Sequence, residues 1–214
     1  MAIEREIIVD AALTLLNEVG LERLTTRKLA ERLGVQQPAL YWHFKSKSAL
    51  LDAVNEEMLA RYHTHRVPGP GETWDQFAAA TARSFRKAML AVPDGARINA
   101  GTRPSTSQFA DAERQLQLYV NAGFSSEEAF NISIALARYV VGFVLEEQDE
   151  RERAEEDGRG SDADPMAEIA PFPILTEALR PLFKAGTVNT EAAFEAGLAY
   201  IIDGARQSLL RKRK

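Results

Sequence analysis

The chain has no cysteine, only three histidines and two tryptophans among its 214 residues. Without cysteine there are no disulfides and no thiolate metal sites, which fits a cytoplasmic protein. The histidines, at 43, 63 and 65, offer little to an enzyme. His63 and His65 are two apart and fall on different helix faces, a poor metal pair, and no nucleophile–base pair has motif spacing. No apolar run is read as long enough to span a bilayer, and the N-terminus carries acids and isoleucines in place of a signal peptide. Strand-like alternation persists nowhere, and no internal repeat is visible. These absences argue against a secreted, membrane or enzymatic chain and predict an all-α fold.

Acid is in slight excess, with a net charge of −5, but the excess is uneven. Residues 1–50 hold seven Lys/Arg against six Asp/Glu, net +1, so the remaining 164 carry 19 against 25, net −6. Nucleic-acid affinity follows the local basic footprint, so the acidic remainder does not veto DNA binding by the first fifty residues.

Those residues contain TTRKLAERLGVQQPALYWHFKSK, from 25 to 47. Leu24, Leu29, Ala30 and Leu33 at helical spacing predict a short helix with one buried face. Thr25 or Thr26 stands at its N-cap and Gly34 at its stop. After a three-residue turn, Pro38 suits a first helical position, because its missing N–H costs nothing there. The second helix, about Gln37 to Phe44, would bury Leu40 and Phe44 and leave Gln37, Tyr41, Trp42 and His43 outward or sideways. A soluble protein seldom exposes Tyr-Trp-His beside lysines unless a partner covers them. With a preceding helix at 4–19 (Ile8, Ala11, Ala12, Leu15, Leu16 and Val19 on one face, Gly20 beyond), this is a helix-turn-helix.

Further helices are predicted from Ser46 to about His63, 73–92, 105–121, 125–150, 174–184 and 188–210, with a Pro/Gly-rich break at 66–72 and a short helix or turn flanked by loops at 93–104. Residues 146–168, with eleven Asp/Glu, read as a solvated helix end followed by a loop. Ile132, Ile134, Leu136, Val140, Val141 and Phe143 wrap most of one long helix, more apolar surface than a single chain needs. A twofold interface between copies would bury it.

The segment TTRKLAERLGVQQPALYWHFKSKSALLDA resembles the DNA-binding segment of the tetracycline repressor family, and AVPDGARINAGTRP, QLQLYVNAGFS and VGFVLEEQ resemble its ligand-binding core in the same order. The likeness covers roughly residues 5–150. It implies a helix-turn-helix domain at 1–46 and a ligand-binding and dimerisation core at 47–214. It implies a cytoplasmic homodimer on double-stranded, palindromic operator DNA, released by a small-molecule effector; an activator, or a regulator deaf to small molecules, is the alternative. Arg27 would read a guanine and Gln37 an adenine in the major groove. Pro38 and Ala39 would touch thymine methyls or sugar, and Thr26, Tyr41, Trp42, His43 and Lys47 would hold phosphates. Plain structural roles stand beside these: Trp42 as core, His43 as a helix-end cap, Lys47 as a solvated lysine.

In the core the resemblance implies a pocket for a tetracycline–magnesium complex made by His63, Thr81, Phe85, Asn99, Thr102, Arg103, Pro104, Gln115 and Glu146. Gln115 and Glu146 sit on faces that otherwise read as apolar, which suggests interior polar anchors; Glu146 would accept from metal-bound water. The family's magnesium-binding histidine is Asn99 here and its drug-binding asparagine is Thr81. No cofactor is required, and Mg²⁺ enters only as part of a ligand complex.

Overall fold

The computed structural model describes residues 3–156, 165–181, 183–184, 187–188 and 190–212. The chain divides into two compact units, Met1–Leu145 and Glu146–Lys214.

The first unit begins with α1 (Arg5–Arg23), which buries Ile8, Ala12, Leu15 and Leu16. Gly20 adopts φ +73° inside α1, so the expected stop is a kink, after which one further turn runs to Arg23. A side chain there would be strained, which is why glycine occupies the bend. The kink turns the Leu21 amide onto Asp94 Oδ2 at 2.8 Å.

Thr25 caps α2 (Thr26–Leu33), its hydroxyl accepting from the Lys28 amide at 3.2 Å, and Gly34 at φ +66° ends it. Leu29 and Ala30 are buried, whereas Leu33, expected in the same face, is half-buried at the last turn. Next comes α3 (Gln37–His43), with Pro38 in its first turn and Leu40 and Phe44 buried. The Ser46 hydroxyl accepts from the Ala49 amide at 3.1 Å and so starts α4 (Lys47–Tyr62), whose buried residues include Val54, Met58 and the polar Asn55. His63 is its C-cap.

A capping box of Thr73 and Gln76 opens α5 (Trp74–Leu90). Then Asp94 at φ 56° leads into α6 (Gly95–Ala100). Ser105 and Gln108 form a second box before α7 (Thr106–Ala122). Ser125 and Glu128 cap one another at 3.2 and 2.7 Å before α8 (Ser126–Glu156).

The expectation that no stretch could span a bilayer needs correcting. Within Ser126–Arg153, α8 holds an eighteen-residue stretch long and apolar enough to do so by length and composition, with mean hydropathy 1.5 and 22% of it buried.

In the second unit are α9 (Pro165–Ile169), α10 (Pro173–Leu179), an antiparallel pair β1 (Phe183–Lys184) and β2 (Thr187–Val188), and α11 (Thr190–Arg211). The helix expected at 174–184 therefore ends five residues early and gives way to a two-residue ladder. Phe194, Leu198, Ile202 and Leu209 are the buried face of α11, while Tyr200 is 78% exposed. Residues 157–164, the expected acidic loop, lie outside the described residues.

Candidate DNA-reading face and ligand cavity

Because Leu40 and Phe44 face the core, helical phase turns Tyr41 and Trp42 outward, Trp42 with 89% of its surface exposed. Pro38, Lys45 and Lys47 are exposed, and Gln37, Ala39 and His43 half-buried. Trp42 is thus no core residue. Gln37 Nε2 donates to Thr26 Oγ1 at 2.8 Å, tying α3 to the start of α2. Arg27 is exposed and donates from Nε to Glu31 at 2.9 Å, one turn along α2. A surface pair of this kind is worth a few tenths of a kcal/mol and is readily exchanged for a better partner.

Behind the head lies a cavity of about 420 Å³ in the first unit, lined by residues of α4, α5, α6, α7 and α8. That is within the range of small-molecule sites, and its walls are mainly apolar. Of the nine core residues singled out from the sequence, His63, Thr81, Phe85, Asn99, Pro104 and Gln115 line it. Thr102 and Arg103 do not. The Thr102 hydroxyl donates to the Asn99 carbonyl at 3.0 Å. Arg103 instead lines a smaller cleft with Arg5, Asp52 and Glu56.

Glu146 also departs from expectation. It is exposed and is no part of the cavity wall, and the buried carboxylate is its neighbour Glu147, 5% exposed. Glu147 is buried but does not line the cavity either. Gln115 behaves as an interior anchor in a different sense: its Nε2 donates to the Arg66 carbonyl at 2.6 Å, pinning the loop after α4.

Two polar cavity residues are oriented from behind by side chains that the sequence did not flag. Ser84, 9% exposed, has its Oγ 2.9 Å from His63 Nδ1 and 3.0 Å from the His65 amide. Oγ accepts from that amide and shares a hydrogen bond with Nδ1, with Thr64 Oγ1 3.5 Å away as a further neighbour. Burial lowers the His63 pKa to about 4, with the charges of Arg66 and His65 adding to the effect and Asp111 opposing it. The ring is therefore neutral at pH 7 and stands 5.4 Å from that of Phe85. In the same way, Asn99 Nδ2 donates to the buried Asn55 Oδ1 at 3.1 Å, which leaves the side-chain Oδ1 of Asn99 as its unused group among the described residues. His65 is held separately by Glu72 at 2.9 Å.

Asn55 and the loop before α7 join α4 to the cavity wall. Besides the Asn55–Asn99 bond, the Arg103 amide donates to Asp52 at 3.3 Å and the Ser105 hydroxyl to Glu56 at 3.0 Å. Asp52, Asn55 and Glu56 share one face of α4, as residues three and four apart do. No group of three or more His, Cys, Asp or Glu among the described residues is arranged to hold a metal.

Comparison with known proteins gives a consistent result. Residues 8–54 match the family described as bacterial regulatory proteins, tetR family, and residues 67–209 the tetracyclin repressor-like C-terminal domain. The chain is 51% identical to the class A tetracycline repressor protein of Escherichia coli, over 92% of this chain and 88% of that one. It is similar to the structure of a class A repressor in complex with 5a,6-anhydrotetracycline and magnesium, with a TM-score of 0.75 and 42% identity, covering 96% of this chain and 99% of that one. ActR of Streptomyces coelicolor in complex with (S)-DNPA gives a TM-score of 0.80 at 26% identity, covering 97% and 99%.

Proposed function

The chain belongs to the tetR family of bacterial regulatory proteins, and on that premise we propose that it is a cytoplasmic repressor which binds a palindromic operator as a homodimer and leaves it when a polycyclic, oxygen-rich effector fills the cavity. The observation that carries the reading is the position of His63. It caps the C-terminus of α4, the helix that follows directly on α3, and it also lines the cavity. An effector held by His63 and Asn99 acts on both ends of the polar seam that α4 makes through Asp52, Asn55 and Glu56. Release needs the effector to prefer the non-binding geometry by about 1–3 kcal/mol or more.

In the head, residues 1–46, Arg27 and Gln37 read bases, Pro38 and Ala39 pack on sugar or thymine methyl, and Thr26, Tyr41, Trp42, His43 and Lys47 fix the register on phosphates. The core, 47–214, supplies the cavity and the dimer face. His63, Thr81, Phe85, Asn99, Pro104 and Gln115 make the effector wall, and Thr102 and Arg103 support it. The exposed Glu146 serves only an ion carried in with the effector. Magnesium suits this wall as part of a ligand complex. The Asn99 side-chain Oδ1 is a hard donor with no partner among the described residues, while Asp111, the wall's carboxylate, is paired with Arg66 and Arg114. One neutral oxygen leaves the other coordination positions to effector and water.

The chain carries no enzymatic step in this reading. Ser84 and His63 are in contact, but the hydroxyl is occupied in orienting the ring and in accepting from a backbone amide.

The test is a gel-shift titration on operator DNA from the flanking region of the gene. Addition of 5a,6-anhydrotetracycline with Mg²⁺ should release the complex. A complex that persists through this compound and a panel of related polyketides would overturn the released-repressor reading and favour a regulator deaf to small molecules.

A further inference from the structure

The ring of Tyr119 belongs to the innermost packing of the first unit, with 1% of its surface exposed. Trp74 lies 5.9 Å from it and Phe124 6.1 Å, centroid to centroid, and Trp74 and Phe124 meet edge-on at 5.0 Å. Three interlocked aromatics leave the phenol no freedom to turn. A buried tyrosine usually gives its hydroxyl to a carbonyl or carboxylate. Among the described residues, Tyr119 Oη has no such partner. Yet no side-chain nitrogen or oxygen that is fully sealed from open space lacks a bond. The hydroxyl must therefore hold the small residue of exposure that Tyr119 keeps. The open space that Tyr119 meets is the cavity, since it is one of the lining residues. Burial alone pushes its pKa upward, so the group is an O–H donor throughout the working pH range.

We propose that Tyr119 is an effector-contacting residue: its fixed hydroxyl donates a hydrogen bond to a carbonyl or ether oxygen on the part of the effector that meets α7. The proposal rests on the effector-binding reading and narrows it. Tyr119 presents Oη–H, so the effector carries an acceptor there, on an apolar body that fits against Phe77, Phe85, Leu136 and Val140. A site built to hydrogen-bond discriminates strongly against a molecule lacking the matching atom, because the buried group is then left unpaired. A tyrosine there sets specificity among aromatic polyketides in a way that an aliphatic side chain would not.

The experiment compares the full-length protein with Tyr119→Phe, which removes only the hydroxyl. Calorimetric titrations use two probes, 5a,6-anhydrotetracycline with Mg²⁺ and the tricyclic quinone alizarin, and thermal melts are run without ligand. The expected result is a melting midpoint that is unchanged or raised, since no protein bond is lost, together with roughly tenfold or greater loss of affinity for at least one probe. A lowered midpoint would mean that the hydroxyl bonds to the protein, and equal affinity for every probe that the wild type binds would mean that no effector reaches it; either result overturns the proposal. If the wild type binds neither probe, it is the effector reading that suffers. The ligand-free melts then still judge Tyr119, a drop overturning it and a steady or raised midpoint sustaining it.

Discussion

His63 shows how much a single side chain is set by its surroundings. Its ring would ordinarily titrate near 6.5, and here burial holds it to about 4. The folded state thus binds fewer protons than the unfolded state between those values, and stability rises with pH across that window. Acidification from about pH 6.5 towards 4 should therefore cost the fold up to ~3 kcal/mol from this group, and the loss should level off below pH 4. Urea midpoints taken along this range for the wild type and for His63→Gln should converge as pH falls, because the variant has no proton to gain. Parallel curves would show that the ring is protonated as easily folded as unfolded. Ser84 is 21 positions away in the chain and Asn55 is 44 from Asn99. Nothing at either position announces its partner, whereas the caps at Thr25 and Ser46 were legible because the amides that donate to them are three residues off.

Among elements, α2 and α3 are the pair whose function depends on phase. Leu40 and Phe44 determine which way α3 faces, and Trp42 follows as its most exposed residue. The Gln37–Thr26 bond holds the two helices in register, and the Arg27–Glu31 pair keeps the guanidinium extended along α2. Arg27→Ala should relax preference at one base pair and cost ~1–3 kcal/mol in binding. Lys47→Ala should weaken all sequences alike and reduce the salt slope by about one. Fluorescence anisotropy on an operator library at several salt concentrations separates the two. If both variants lost affinity with no change in preference, the assignment of Arg27 to base reading would be wrong. On α8, Glu146 is exposed where an interior anchor was expected, and the buried carboxylate is Glu147, because several successive positions are apolar enough to fit either phase.

At the scale of the molecule, the apolar surface of α8, the exposed Tyr200 and the 46% exposed Leu210 are more than one chain leaves uncovered without cause. A second copy covers them in the proposed assembly, and two recognition helices then stand one DNA turn apart. Light scattering at micromolar concentration should report twice the 23.7 kDa chain mass. Sedimentation with operator should give two chains per palindrome. A single-chain mass with full operator affinity would remove the dimer from the mechanism. The apolar length of α8 also meets the requirement for a membrane span, and a soluble dimer of that mass in detergent-free buffer is the result that separates the two.

Local chemistry determined most of the long helices of this chain by itself, along with their caps and the helix-turn-helix, because apolar spacing, capping hydroxyls and obligatory glycines act within a few residues. Six of the nine pocket residues implied by the resemblance line the cavity, whereas the GTRP and VLEEQ segments supply only Pro104 to it. Which way each wall residue points its hydrogens was decided only in three dimensions. Ser84 behind His63, Asn55 behind Asn99 and the aromatic wedge around Tyr119 join positions far apart in the chain. The polarity of a cavity is a property of its second layer of neighbours, and only packing brings that layer into place.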